Sequence, residues 1–139
     1  MKKEKSCGFI VFTNIEGVIK FLIIQQLEGF HSFPKGHMEG NETELETAFR
    51  EVKEEVNIIP TLIEGFRESE SHLIPSRNNV LKECVYFLGY YENQEIIYQE
   101  SELKGAYLLT YEEAISVFEY ENTKELLFKA NQFLINSYK

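Results

Sequence analysis

The chain has 139 residues with a formal net charge of −9, 43% hydrophobic and 14% aromatic residues, and no Trp. That length points to one folded domain spanning 1–139 with a core large enough to need no staple, and the composition excludes disorder. The negative charge argues against capture of nucleic acid through basic surface, an RNA 5′ end apart, but not against phosphate ligands approached through divalent cations.

The basic Met1–Lys5 start leads into Cys7–Phe12, which reads as a strand and is too short for a secretory core. Phe21–Gln26 reads as a second strand, and the turn residues Thr13–Gly17 between them predict a hairpin. Glu28–Gly40 is expected to be a loop carrying Pro34, followed by a helix from about Glu42 to Val56. Asn41 can cap that helix, with Glu44 completing a capping box. Leu45, Ala48, Phe49, Val52 and Val56 form one apolar stripe, and Asn57 then Pro60 end the helix, Asn being tolerant of the left-handed conformation.

Beyond Pro60 the chain is expected to be extended through Phe66, with a loop over Ser71–Asn79 and a central strand over Glu83–Tyr91. A short strand at Ala106–Leu109 precedes helices over Tyr111–Phe118 and Asn122–Ser137. The sum is a mixed α/β domain. Cys7 and Cys84 sit in apolar runs and read as buried, unpaired thiols, in keeping with a soluble, reducing, cytoplasmic setting. No run is long enough to span a bilayer.

Glu51, Glu54 and Glu55 stand off the apolar stripe at i, i+3 and i+4, so their carboxylates project from one face. Three such charges repel unless a hard divalent ion, magnesium or manganese, sits among them. Taken alone, a Glu-rich helix is more often a solvated face. The surrounding residues decide the matter. Gly36, five residues, Glu42, seven residues, then Arg50-Glu51-Val52-Lys53-Glu54-Glu55-Val56-Asn57-Ile58 resembles the Nudix box, G-x5-E-x7-R-E-U-x-E-E-x-G-U with U aliphatic. Asn57 in place of Gly is the one departure, and it leaves the acids intact.

The resemblance implies an α/β/α sandwich whose mixed sheet carries a loop-helix-loop. It implies magnesium (manganese as an alternative) held by Glu51, Glu54 and Glu55 with the Gly36 carbonyl. Arg50 would orient a catalytic Glu, and Glu42 would brace the loop. The flanks, His31-Ser32-Phe33-Pro34-Lys35-Gly36-His37 and Leu45-Glu46-Thr47-Ala48, are similar to those of asymmetrical diadenosine tetraphosphate hydrolases. That likeness implies hydrolysis of diadenosine tetraphosphate to ATP and AMP. The general base would be Glu54, Glu55 or Glu102. Lys35, His37 and Lys82 would reach phosphate, while Tyr86 and Tyr120 would stack the base. Phe33 would shape the mouth or plug the loop onto the core. Ordinary packing remains the rival reading for both tyrosines, and a surface role remains open for Lys82 and Glu102. Phe33, where the group often has Trp, and Leu108-Leu109, where it often has Arg-Trp, depart from the pattern. Two alternatives stand beside this reading: hydrolysis of (deoxy)nucleoside triphosphates or RNA 5′ triphosphate ends, and a ligand-binding module without catalysis. A monomer or weak dimer is expected.

Overall fold

A computed structural model of the chain describes residues 2–74 and 79–137. Its organising strand is β1 (Lys3–Ile15), which turns through Glu16 and Gly17 into β2 (Val18–Gln26). Both turn residues have positive φ, 52° and 85°, as a two-residue hairpin of this hand requires, and Asn14 Oδ1 accepts from the Gly17 N–H at 2.8 Å. Two short strands, β3 (His31–Ser32) and β4 (Lys35–His37), break up the stretch expected to be loop. After them come α1 (Glu44–Val56), β5 (Thr61–Ile74), β6 (Val80–Tyr90), β7 (Leu103–Leu109), α2 (Tyr111–Val117) and α3 (Glu121–Ser137).

The seven strands form one mixed sheet. β6 runs parallel to β1 over Lys3–Phe12, and β5 lies antiparallel outside β6. The other edge of β1 is shared: Ser6–Gly8 pair with β4, whereas Phe12–Ile15 pair with β2. β2 in turn takes β3 and β7. Strand alternation sends Cys7, Phe9 and Val11 toward α1, where Ala48, Val52 and Val56 cover them. It sends Ile10 and Phe12 to the opposite face, under Ala114 of α2 and Leu126, Leu127, Ala130 and Leu134 of α3. Each layer packs helices on one apolar face of the sheet, which is the α/β/α sandwich the box implies.

Two local expectations are corrected. The cap of α1 is Thr43 with Glu46, not Asn41 with Glu44. The physical reason lies in Glu42, whose carboxylate accepts from Arg50, the Glu39 N–H and the Thr47 hydroxyl. That grip holds the Asn41–Glu42 stretch as a turn, so the helix starts after it. Glu44, freed from capping, takes Arg67 Nε and Nη2 at 2.9 and 2.8 Å and also pairs with Lys5. The second correction is β5, which continues through Ser71–Ile74 in register with Val80–Glu83 instead of breaking into loop. Its polar residues fit because one of its faces looks into a cleft. Residues 75–78 of the expected loop lie outside the described residues. The C-terminal end of α1 is as expected: Asn57 has φ 65° and its N–H reaches the Lys53 carbonyl at 3.0 Å.

Candidate active site

Arg50 is the hub that joins loop and helix. Its Nε donates to Glu42 Oε2 at 2.7 Å and its Nη2 to Glu42 Oε1 at 3.0 Å. Nη2 also donates to the His37 carbonyl at 2.9 Å, while Nη1 reaches Glu51 Oε1 at 2.8 Å and Glu54 at 3.3 Å. One planar cation therefore fixes β4, the Glu42 turn and two of the helix acids, a task suited to the fork of a guanidinium. The Arg50 hydrogen bonds hold the Glu42 carboxyl down at about 2.

Glu55 is held differently. It is 6% exposed, and its Oε1 accepts from the Lys35 N–H at 2.9 Å. Burial first, then the charge of Glu51, pushes its carboxyl up to about 8. Burial also raises Glu51, with Glu54 and Glu102 adding to it. Glu102 is brought to this corner by the end of α1, whose Glu55 and Val56 carbonyls accept from the N–H groups of Gln99 and Ile97. Gly36 leaves the room that the Glu51 carboxylate occupies, since a Cβ there would displace it from its present position.

Among the described residues no three His, Cys, Asp or Glu side chains already converge on one ion position. The donor set nevertheless fits a hard cation. It offers only carboxylate and carbonyl oxygens, and Glu51 and Glu55 are both raised by burial and by neighbouring acids, even though Arg50 pairs with Glu51.

β4 alternation turns Gly36 toward Glu51 and sends Lys35 and His37 to the other face. There Lys35 enters a cleft of about 420 Å³. Lys82 and Tyr86 from β6 form its floor, and Tyr120 stands at its rim. Burial and the neighbouring Lys35 ammonium push the Lys82 amine down. Thus four residues singled out from sequence, Lys35, Lys82, Tyr86 and Tyr120, meet in one cavity adjoining the acids. His37 is exposed and outside the cleft lining, offering its carbonyl to Arg50.

Phe33 is corrected as a substrate-contacting residue. It is 0% exposed, and its ring meets Tyr86 at 5.7 Å and Phe118 at 5.3 Å, both edge-on. It lies outside the cleft lining and fits the other expected role, the plug that seats the loop on the core. Tyr86 is only 3% exposed and presents little ring surface, whereas Tyr120 is 59% exposed.

The sequence reading missed Phe30, His31, Glu70, His72 and Glu119. His72, given no role, lines the cleft opposite Lys82 in the strand register. Glu70 Oε2 is buried there without a hydrogen-bond partner. His31 contacts Glu119 across 88 positions of sequence. No spacing signal announces such pairs; the extension of β5 would have suggested Glu70 and His72.

Set against known proteins, this fold and this acid-bearing loop-helix-loop define a family. The chain belongs to the NUDIX domain family, whose model matches residues 4–130. Among curated relatives, it is 31% identical to the asymmetrical bis(5′-nucleosyl)-tetraphosphatase of Mus musculus, over 96% of this chain and 97% of that protein. Among solved structures, a C. elegans Ap4A hydrolase binary complex superposes with a TM-score of 0.87 at 27% identity, covering 96% of this chain and 98% of that one. The E. coli dihydroneopterin triphosphate pyrophosphohydrolase, at 20% identity with 98% and 99% of the two chains covered, shares the fold, with a TM-score of 0.72. Among the described residues no helix is long and apolar enough to cross a membrane.

Proposed function

We propose that the protein is a cytoplasmic enzyme that hydrolyses a phosphoanhydride bond in dinucleoside polyphosphates, converting diadenosine tetraphosphate to ATP and AMP with magnesium, or manganese in its place. One observation carries the reading. Lys35 donates its backbone N–H to the buried Glu55 carboxylate and sends its side chain into the aromatic cleft. The same residue joins an acid cluster to a cationic, ring-lined slot, which is the pairing a nucleotide with a long phosphate chain needs. The mouse and C. elegans relatives point to the same substrate.

Glu51, Glu54 and Glu55, with the Gly36 carbonyl, would hold the ion. A bound divalent cation supplies neutralisation of the charge that grows on the phosphate oxygens. Arg50 keeps Glu51 and Glu54 in place beside the loop. Lys35 and Lys82 draw the phosphates into the cleft, and Tyr120 covers the base above Tyr86. One carboxylate of the set Glu54, Glu55 and Glu102 takes the proton of the attacking water. Water adds to one phosphorus, and the bond to the departing nucleotide phosphate breaks.

The test is incubation with magnesium and a panel of dinucleoside polyphosphates, nucleoside triphosphates and triphosphorylated RNA, with products read by mass. ATP plus AMP from diadenosine tetraphosphate is expected, with turnover stopped by a chelator. Glu54→Gln and Glu55→Gln are expected to lose roughly 100-fold or more in rate while keeping the fold. Undiminished rates in both variants would refute the assigned roles.

A further inference from the structure

The connection between α2 and α3 is three residues long: Phe118, Glu119 and Tyr120. Each faces a different neighbour. Phe118 is buried against Phe33. Glu119 reaches across to the start of β3, where Oε1 accepts from the His31 N–H and Oε2 meets His31 Nδ1, both at 2.9 Å. Tyr120 leans edge-on over Phe30, with ring centroids 6.1 Å apart at 73°. Its ring is mostly exposed, so burial does little to fix it. The Tyr120 backbone carbonyl accepts from the Lys124 N–H at 3.3 Å as α3 begins, and just before it the connection is held by buried Phe118 and by the Glu119 contacts to His31.

The receiving side is equally dependent. Phe30 and His31 follow the turn at Gln26–Gly29, where Gly29 takes φ 110°. The His31 ring is steadied on its far side by Tyr107, whose hydroxyl donates to Gln25 Oε1 at 3.1 Å. Phe30, His31 and Tyr120 all line the cleft that also holds Lys35, Lys82 and Tyr86.

We infer that Glu119 is a positioning residue for nucleotide binding: by gripping both the backbone and the ring of His31, it latches the α2–α3 connection to the segment before β3 and so sets the Phe30–Tyr120 wall of the cleft. The inference rests on reading that cleft as the nucleotide site. Glu119 touches no reacting group, since it lies on the aromatic side of the cleft and not among the helix acids. Loss of the latch lets the Tyr120 wall swing away from Phe30. The site must then order that wall on binding, an entropic cost that appears in affinity and leaves the acid cluster untouched.

The experiment compares KM and kcat for diadenosine tetraphosphate, with magnesium, in wild type, Glu119→Ala, Glu119→Gln and Tyr120→Ala. Glu119→Gln keeps an oxygen for the His31 N–H and an amide for Nδ1, so it acts as the conservative rescue. Glu119→Ala and Tyr120→Ala are expected to raise KM about 3–10-fold, the worth of a partly exposed hydrogen-bonded contact, with kcat within about two-fold of wild type. Glu119→Gln is expected to stay near wild type. Should Glu119→Ala fail to fold, His31→Phe, which keeps the ring and loses Nδ1, replaces it. A raised KM in Tyr120→Ala with an unchanged KM in Glu119→Ala overturns the latch alone. An unchanged KM in Tyr120→Ala, or no consumption of dinucleotide by wild type, overturns the reading of the cleft and the latch with it. An equal loss of kcat in Glu119→Ala and Glu119→Gln also overturns the latch.

Discussion

Replacing Lys82 by Met should make the protein more stable and less active at once. The Lys82 ammonium is partly buried beside that of Lys35, and the opposing pull of Glu4, its partner in the β1–β6 register, is smaller than either effect. Burial, then the Lys35 charge, lowers its affinity for a proton below the ordinary value of 10.5. The sign of the effect on folding follows. The unfolded chain holds that proton more tightly, so the charged form opposes folding at neutral pH, and the opposition fades as pH rises toward the unfolded value. Met keeps the length and apolar stem of the side chain and removes the charge. At pH 7 the variant should gain roughly 0.5–2 kcal/mol, or about 2–6 °C in Tm.

Activity should move the other way. A contact between an ammonium and phosphate is worth about 1.5–3 kcal/mol, so kcat/KM for diadenosine tetraphosphate should fall about 10–100-fold. Thermal unfolding followed by circular dichroism at pH 7 and pH 10, beside steady-state kinetics, reads both quantities. The stability gap between variant and wild type should narrow at the higher pH. A Lys82→Met protein that is less stable than wild type at pH 7 and fully active would refute the reasoning on both counts.

Phe33→Ala should cost about 3–5 kcal/mol, because it empties a fully buried site between Tyr86 and Phe118; the midpoint of urea unfolding measures it, and a loss below about 1 kcal/mol would mean the ring is no plug. Glu44→Gln should lower stability at pH 7 by roughly 1–2 kcal/mol, discounted because the side chain is 23% exposed and Arg67 is more exposed still. The Arg67 hydrogen bonds hold Glu44 at about 2 against an ordinary 4.5, so its contribution is present above 4.5 and is lost as pH falls through 2. Thermal melts of the two proteins should therefore converge across that window, and a gap that stays constant down to pH 2 would show that the charge is not the cause.

Local signals in the sequence were sufficient for the elements that local forces make. The apolar stripe of α1 faces β1 as its spacing requires, and Asn57 adopts the left-handed turn that its side chain tolerates. The hairpin between β1 and β2 follows from turn residues set between apolar runs. The placing of Glu51, Glu54 and Glu55 on one helix was legible for the same reason, since a helix converts spacing directly into direction. Even so, the helix start was displaced by Arg50, which reaches back from the helix to seize Glu42 before a helical turn can form there.

Tertiary structure decided whatever depended on which strand lies beside which. The polar, Pro-containing Ser71–Asn79 stretch reads as loop, yet pairing with β6 carries β5 through Ile74 and brings Glu70 and His72 into the cleft. Phe33 beside the box pattern and Tyr120 far beyond it are both aromatics, and only packing separates a plug from an exposed ring. Glu119 meets His31 because two connections, remote in sequence, close over the same edge of the sheet. The sequence by itself determined the acid-bearing helix and its loop, because their geometry is set within a few turns of backbone. The cleft that would select a substrate is made of residues from four separated segments, and its shape exists only once the sheet has brought them together.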